Sequence, residues 1–408
     1  MRFLAALIAL AVACLAQPSR EEAQRVFAEI NENLQGLSRL SGFKVRKQVR
    51  YDLITRDQVS KFLRTRIKEK SKPEQIRAEE LTLKKFGLVP PDFSLEKSTV
   101  DLLTEQAAAF YDFESKKLYI TDWASSGMQQ SALAHELAHA LADQNFHLKR
   151  FLESSKNDDA ELARMAVMEG QASWLMSEYF ARKSGQSLKT SPALLDAMSQ
   201  SAEGGAGEYP VFEKAPLYMR ETLLFPYTWG IRFQQALVVK IGVAAFAEVF
   251  RKPPASTQQI LHPEKYFAGV VSGKLSPPDL VSRRGFKVLA EGTVGELDHQ
   301  ILLRQYAGRA DAEKVAPHWT GGSYRVLENR KQRRIVLAYA SEWDEAAIAK
   351  EYFELYRKVL ERKWKRTEFQ STTADSISGR GDDGLFLVRL RGRMVTSLEG
   401  LESLSQAR

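Results

Sequence analysis

Two histidines four residues apart, with a glutamate beside the first, are the residues of this sequence best suited to chemistry. His135, Glu136 and His139 form the pattern His-Glu-x-x-His within residues 131–147. Residues four apart on an α-helix lie on the same face, so both imidazoles can reach one metal ion. Neutral imidazoles suit zinc, and a neighbouring carboxylate can accept a proton from water. The pattern predicts one zinc ion (Zn2+) per chain, with Glu136 as the general base.

The surrounding residues favour the helix that this pattern requires. No glycine or proline occurs between Met128 and Asn145, and good helix formers predominate there. Leu133, Leu137 and Leu141 recur every four residues on the side opposite the histidines, so we expect that side to pack into the core. A pattern this short also arises by chance, but the helical context favours a metal site over two surface histidines.

A catalytic zinc site needs a third protein ligand, and Glu169 is the preferred candidate. It lies in a second predicted helix, which begins near Asn157 with acidic residues in its first turn and continues to about Arg182. Glu169 shares a face with apolar residues, where a carboxylate is costly to bury unless it is paired or binds metal. The alternatives are a glutamate paired with an arginine or a backbone amide, and a third ligand at His147, whose spacing fits known patterns less well.

The motifs HELAHALAD and EGQA together resemble those of the gluzincin zinc metallopeptidases, the thermolysin-like clan. The close resemblance covers roughly residues 118–176. The roles that it implies are zinc ligands at His135, His139 and Glu169, with the general base at Glu136. The sequence departs from thermolysin in a longer gap before the glutamate ligand and in Ser173, which stands where thermolysin has a supporting aspartate. With FPYTWG and STQQILHPEKY included, the chain also resembles a group of uncharacterised secreted bacterial metallopeptidases.

Peptide hydrolysis also needs a hydrogen-bond donor for the negative charge that develops on the substrate oxygen. In gluzincins this donor is a tyrosine or a histidine, and the resemblance makes Tyr227 and His262 the preferred candidates, with Tyr209 as a third. A residue of this kind is more often structural than catalytic, so a structural role is the alternative for each of the three. Asp143, one turn beyond His139, is either a partner that orients a zinc ligand or an aspartate satisfied at the helix end.

The composition indicates a globular protein rather than a nucleic-acid-binding one. The chain has 408 residues, of which 44% are hydrophobic and 27% charged, enough for two domains with a sizeable core. Its net charge of +8 is dispersed and accompanies no nucleic-acid-binding motif, so no nucleic-acid partner is predicted. The charge is compatible with weak association with an anionic cell envelope.

Residues 1–16 have the pattern of a secretory signal peptide. Arg2 precedes an apolar run at residues 3–12, and small residues at the end of the segment suit cleavage after Ala16. Cys14 is the only cysteine, so cleavage there would leave a mature protein without any. Retention of Cys14 as a lipidated first residue is the less favoured alternative. We therefore expect a secreted or periplasmic protein with no transmembrane span beyond the signal.

The order of predicted elements indicates an α+β protein with two domains after the signal peptide. Residues 17–280 are expected to form a mainly helical zincin-like peptidase domain with a small edge sheet. Its first part, residues 17–100, is either an N-terminal subdomain or a propeptide. Residues 281–408 are expected to form a C-terminal α+β domain around a long helix at residues 343–363, with a loop at residues 375–383.

Within the peptidase domain, residues 107–111 and 117–121 predict a β-hairpin just before the histidine helix. An exposed strand there could bind an extended polypeptide substrate through backbone hydrogen bonds, and we expect the strand at residues 118–121 to do so. A helix is predicted to begin at Phe225 and to continue through Lys240.

Together these features predict an exported zinc metallopeptidase that hydrolyses a polypeptide substrate through a zinc-activated water. Two alternatives remain open at this stage. One is a non-catalytic zincin-like protein that binds a cell-envelope partner, and the other is a zinc amidase that acts on cell-wall links. The presence of Glu136 favours an enzyme, since a protein that only binds has no need of a base.

Overall fold

The computed structural model describes residues 30–123, 126–203, 209–280 and 285–407, without the side chains of residues 126–128, 198–203 and 407. The predicted signal peptide, with Cys14, lies outside these ranges. The described chain combines many helices with two sheets, which confirms the α+β class.

From residue 30 onward, the N-terminal part of the fold contains four helices and a three-stranded sheet. In chain order these are α1 (Ile30–Ser41), β1 (Arg50–Ile54), α2 (Arg56–Lys70), α3 (Pro73–Phe86), α4 (Leu95–Gln106), β2 (Ala109–Asp112) and β3 (Lys117–Thr121). Local chemistry sets several of the boundaries. Helix α2 begins after Thr55, which exchanges side-chain-to-backbone hydrogen bonds with Gln58. Helix α3 ends at Gly87, whose left-handed backbone favours glycine.

The prediction that the strand before the histidine helix offers its edge to substrate is wrong. The sheet order is β1-β3-β2, so β3 is central, with β1 parallel on one side and β2 antiparallel on the other. Strand β1 comes from far earlier in the chain, and a hairpin pattern gives no sign of such a distant partner. The edge strand beside the histidine helix is β2, whose Tyr111 N–H donates to Glu136.

Nine helices then follow within residues 126–267 of the described chain: α5 (Ser126–Phe146), α6 (Leu148–Glu153), α7 (Asp158–Lys183), α8 (Pro192–Glu203), α9 (Pro210–Lys214), α10 (Leu217–Ile241), α11 (Ala244–Arg251), α12 (Thr257–Leu261) and α13 (Pro263–Phe267). Helix α7 begins where predicted, because the Asn157 side chain accepts a hydrogen bond from Ala160 N–H.

Helix α10 begins at Leu217, two turns before the predicted start at Phe225. Pro226 lies inside it, although proline lacks the N–H that a helix interior uses and is typical of a helix start. Burial compensates for this loss, because Leu223, Phe225 and Phe233 are almost fully buried along the helix.

The C-terminal domain is a seven-stranded antiparallel sheet with helices on it. Its elements are β4 (Lys287–Thr293), α14 (Glu296–Tyr306), α15 (Arg309–Val315), β5 (Trp319–Asn329), β6 (Arg334–Trp343), α16 (Ala346–Lys363), β7 (Glu368–Thr372), β8 (Ser376–Gly381), β9 (Gly384–Arg391) and β10 (Met394–Leu401). The strand order is β4-β5-β6-β10-β9-β8-β7. The predicted loop at residues 375–383 is wrong, because β8 lies there. Its serines and glycines lack an apolar pattern, and pairing with β7 and β9 holds it.

The N-terminal helices and the C-terminal sheet share one core. Phe86 of α3 packs edge-on against Tyr324 and Tyr339 of the sheet, with each pair of ring centroids 5.6 Å apart. Lys363 of α16 donates to the Lys85 carbonyl at 3.0 Å and pairs with the buried Glu399. Helix α3 is therefore an integral layer between the two domains.

Within the described residues, no single helix is long and apolar enough to cross a membrane. Helices α10 and α11 would reach that length only as a pair, and they are bent by 117° relative to each other.

Candidate metal centre and cleft

The three predicted zinc ligands meet in the structure. His135 Nε2 lies 3.0 Å from Glu169 Oε2, His139 Nε2 lies 3.2 Å from the same oxygen, and the two histidine nitrogens are 3.1 Å apart. Ligands about 2.0–2.1 Å from a tetrahedral zinc ion are separated by roughly 3.3 Å. The triangle of donor atoms therefore has the size of one face of such a site, and this group could hold a metal ion.

Helix α5 presents the two histidines as its sequence pattern predicts. Leu133, Leu137 and Leu141 are fully buried on the opposite side of the helix. His135 and His139 are themselves only 3% exposed. The leucines fix the rotation of α5 in the core, and this rotation turns both imidazoles toward helix α7.

A close crossing of helices α7 and α10 positions the remaining groups. An added Cβ at Gly170 would lie 2.1 Å from the Gly230 carbonyl carbon, and one at Gly230 would lie 2.3 Å from the Ala166 carbonyl oxygen. Gly170 directly follows Glu169, and Gly230 lies one turn after Tyr227. Both glycines stand in helical segments, where an isolated glycine often has a packing reason, but the sequence does not show that the two meet.

Glu136 is anchored through one oxygen only. Its Oε2 accepts a hydrogen bond from Tyr111 N–H at 2.7 Å, while Oε1 is buried and has no hydrogen-bond partner among the described residues. The donor atoms of His135, Glu136 and His139 all lie within 4.8 Å of one another. A buried carboxylate oxygen without a protein partner is costly, so a ligand or a water is the expected partner for Oε1.

The environment shifts the pKa values of the two carboxylates of the centre in opposite directions. Burial raises the pKa of Glu169, but the His139 charge and hydrogen bonds from both histidines outweigh it and bring the pKa to about 2. Burial raises the pKa of Glu136 to about 8, against the opposing effect of His139. One carboxylate is therefore suited to bind a cation and the other to accept a proton.

The pKa values of the two histidines also shift in opposite directions. Burial lowers the pKa of His135, which favours the neutral form that metal binding needs. Burial lowers the pKa of His139 as well, but the Glu169 carboxylate reverses this effect and raises it overall. The Glu169 carboxylate therefore favours the charged form of His139, whereas burial favours the neutral form of His135.

Asp143 supports the centre through the hairpin. Its carboxylate accepts from the Tyr111 hydroxyl at 3.1 Å, from Lys116 Nζ at 2.6 Å and from Leu148 N–H at 2.9 Å. These bonds fix the end of α5 and the side chain of Tyr111, the residue whose N–H holds Glu136. The alternative ligand His147 is exposed and precedes α6, outside the buried triangle.

Of the three candidate oxyanion donors, the structure brings only Tyr227 to the centre. Its ring centroid lies 6.1 Å from that of His135. His262 Nε2 instead lies 2.7 Å from Glu296 Oε1, at the contact with the C-terminal domain, and His262 does not line the cleft. Tyr209 is buried at the start of α9. None of the three side chains lines the cleft, so the ring contact with His135 is what distinguishes Tyr227. The partner Glu296 lies 34 residues later in the chain, and the sequence near His262 does not indicate it.

A cavity of about 1160 Å³ opens from the metal centre. Glu136, His139 and Glu169 lie at one end of it. Helix α2 and strand β2 also line it, together with parts of β4 and β5 from the C-terminal domain. Such a cleft is large enough for several residues of an extended chain, and all three parts of the fold contribute to it.

Comparisons with known proteins bear on the C-terminal domain only. A family model described as "Domain of unknown function (DUF8575)" matches residues 284–407, which span the seven-stranded sheet and α16. The comparison with curated proteins gave no match, and the comparison with solved structures gave none. The matched segment contains none of the residues of the metal centre.

Proposed function

We propose that the protein is an exported zinc-dependent metallopeptidase that hydrolyses peptide bonds in a polypeptide substrate. The observation that carries the proposal is the triangle of His135, His139 and Glu169 donor atoms, 3.0–3.2 Å apart, at the end of a cleft of about 1160 Å³. Glu136 lies in the same cleft with one carboxylate oxygen unpartnered. A purely structural metal site would need neither a cleft nor a neighbouring base.

His135, His139 and Glu169 would hold the zinc ion. Two imidazoles and one carboxylate form a donor set typical of catalytic zinc, which leaves a coordination position open. When bound, zinc polarises a carbonyl group and lowers the pKa of a water to around 7.

The groups of the chain itself would move and stabilise charge around the scissile bond. Glu136, held by Tyr111 N–H through Oε2, can accept a proton from water at Oε1 and deliver it to the leaving amine. Tyr227, beside His135, is the preferred hydrogen-bond donor to the substrate oxygen. Edge strand β2 is the preferred site for the extended substrate backbone.

Metal content and hydrolysis, measured on the same preparations, test this proposal. We expect near one zinc per chain in the parent and in Glu136→Gln, and strong loss in His139→Ala and Glu169→Ala. Casein cleavage by Glu136→Gln should fall by about 10²–10⁴-fold, because the base is lost while the metal stays. Cleavage by Glu136→Gln at the parent rate, or no zinc in the parent after reconstitution, would overturn the proposal.

A substrate panel of casein, short peptides and murein separates the peptidase from the two alternatives. Cleavage of murein alone would favour the amidase that acts on cell-wall links. A zinc-loaded parent that cleaves none of these substrates would favour the non-catalytic envelope-binding protein. Export is tested separately, since it predicts a mature chain that begins at Gln17 and lies outside the cytoplasm.

A further inference from the structure

The cleft is acidic although the protein is basic. Ten acidic and five basic side chains line the cavity, whereas the whole chain carries a net charge of +8. Two of the ten acids, Glu136 and Glu169, belong to the metal centre. The remaining eight still outnumber the basic side chains.

Near the hairpin, the acidic side chains are neutralised. Arg66 pairs with Asp112 at 2.7 Å and with Glu114 at 2.6 Å, and Lys70 and Lys149 also reach Glu114, at 3.1 Å and 3.2 Å. Hydrogen bonds from Lys70 and Lys149 bring the pKa of Glu114 to about 2, despite the opposing effect of burial. This part of the cleft therefore has little uncompensated charge.

At the end of the cleft away from the metal centre, Asp158 lacks an ion-pair partner of this kind among the described residues. It is lined by Glu79 of α3, Asp158 and Glu161 of α7, Glu291 of β4 and the cations Lys156 and Arg325. Arg325 bonds Glu291 at 3.1 Å, but no described Lys, Arg or His lies within ion-pair distance of Asp158. The Asp158 carboxylate instead accepts from Thr293 N–H at 3.2 Å.

The pKa values of two neighbouring groups are shifted upward, first by burial and then by the nearby acidic side chains. Tyr324 lines this end, and its pKa is raised well above the usual value by burial and then by Asp158, Glu79 and Asp298. Behind it, burial and, to a smaller extent, the charge of Asp158 raise the pKa of Asp159 to about 7, although hydrogen bonds from Thr257 oppose this.

Helix α7 sets the distance between this end and the metal centre. Asp158 begins the helix and Glu169 lies eleven positions later, which corresponds to about 16 Å along the axis. An extended peptide covers that distance with about five residues. A long basic side chain of a bound peptide would reach the acids from a position somewhat closer to the centre.

We propose that Glu79, Asp158, Glu161 and Glu291 form a subsite that selects basic side chains of the polypeptide substrate, about three to five residues from the cleaved bond. That the cavity takes a ligand is indicated independently by the buried, unpartnered Glu136 Oε1, which lies in it. The subsite rests on the proposed peptidase function and gives the C-terminal domain, through Glu291, a part in substrate selection.

Binding can be measured without turnover in the full chain that carries Glu136→Gln. The probes are two fluorescein-labelled decapeptides with the same neutral backbone, one with four lysines and the other with four glutamates. We expect the lysine peptide to bind at least about tenfold more tightly at low salt, and the difference to shrink at high salt. Asp158→Asn with Glu161→Gln should reduce this preference about tenfold.

Glu354→Gln with Glu361→Gln is the matched control, because it removes two charges from the exposed surface of α16, away from the cleft. The control should keep the full preference for lysine. Equal binding of the two peptides by the parent, or an equal loss in the cleft and control variants, would overturn the subsite. Thermal melting and zinc content verify that each variant is folded.

Cleavage of a neutral peptide series, with a single lysine moved along it, separates the two proposals. A rate maximum about three to five residues from the cleaved bond supports the subsite in the parent and should vanish in the cleft variant. Cleavage without any positional preference would overturn the subsite and leave the peptidase intact. Lysine-selective binding without cleavage would overturn the peptidase and retain the acidic site.

Discussion

At the scale of single residues, Tyr111 links the two carboxylates behind the metal centre. Its N–H holds Glu136, and its hydroxyl bonds Asp143, which also accepts from Lys116. This arrangement fixes the orientation of Glu136 from the backbone of an edge strand. The Glu136 base would then be positioned by the hairpin rather than by its own helix.

Tyr227→Phe tests the assignment of the oxyanion donor. Loss of one hydroxyl that stabilises developing charge should lower kcat by about 10²-fold or more, with little change in zinc content. The measurement is steady-state cleavage of a fluorogenic peptide. His262→Gln is the comparison, because His262 bonds Glu296 outside the cleft, and we expect its kcat to match the parent. Equal kcat values for Tyr227→Phe and the parent would leave the donor unassigned.

Residue spacing could predict His135, Glu136 and His139, because one turn of a helix is a local relation. Glu169 could be predicted as a lone carboxylate on an apolar helix face, and its carboxylate oxygen lies 3.0 Å and 3.2 Å from the two histidine nitrogens. The role of Tyr111 could not be predicted, because it depends on a strand and a helix that meet only through the tertiary fold. The position of His262 away from the centre could not be predicted for the same reason, since its partner is Glu296 of the next domain.

At the scale of elements, the crossing of α7 and α10 controls the positions of Glu169 and Tyr227. Gly170→Ala should force the helices apart, because the new Cβ would lie 2.1 Å from backbone. We expect a loss of at least about 3 kcal/mol in the free energy of unfolding, near the upper limit for overpacked cores, and weaker zinc binding. Denaturant unfolding and metal titration measure the two effects.

Gly230→Ala provides the reciprocal test of this crossing, because its Cβ would meet the Ala166 carbonyl at 2.3 Å. The two variants should be destabilised to a similar extent. A stability close to that of the parent in either one would show that the helices can separate without cost.

The contact of α7 and α12 with the C-terminal domain should depend on pH. Asp159 is buried, accepts from Thr257 and has a pKa raised to about 7, mainly by burial. Its folded pKa exceeds its unfolded value, so its stabilising effect is complete below about pH 4 and is lost as the pH rises toward and through 7.

Asp159→Asn removes this titration and keeps a hydrogen-bond acceptor. Relative to the parent, the variant should gain about 2–3 kcal/mol in the free energy of unfolding between pH 5 and pH 8. Urea unfolding at the two pH values measures this difference. A difference that does not change with pH would contradict the raised pKa of Asp159.

Among the elements, the helices around the metal centre were easier to predict than the sheets. Helix α7 has a cap and an apolar face within one segment, and it begins where expected. Strand β8 lies where the sequence predicts a loop, because pairing with β7 and β9 stabilises a strand whose small residues have no apolar pattern. Strand β3 is central where the sequence predicts an edge, because its parallel partner β1 is remote in sequence.

At the scale of the whole molecule, the N-terminal helices are part of the folded structure that forms the cleft and the core. Helix α2 lines the cleft, and α3 packs through Phe86 on the C-terminal sheet. A propeptide that is removed on activation would leave both surfaces exposed. The sequence pattern sets residues 17–100 apart from the rest of the chain, but the structure does not. One hydrophobic core contains side chains from both parts.

Deletion of residues 17–94 tests this interpretation. We expect the shortened chain to be insoluble or unfolded, because it loses Phe86 and the Lys363–Lys85 contact from one shared core. Circular dichroism and limited proteolysis of the purified chain measure the effect. A folded, active product of this deletion, or a natural mature N-terminus near residue 95, would instead identify a propeptide.

The glycine pair at the crossing of α7 and α10 also provides a means of recognising related sequences. Because neither position has room for a methyl group, a substitution at one should be found only together with a change at the other or a wider helix spacing. The two glycines are sixty positions apart, so neighbouring residues cannot explain such a correlation. Chains that combine a glycine directly after the helical glutamate with a small residue three positions after a tyrosine would be expected to share this centre, even where the C-terminal domain is absent.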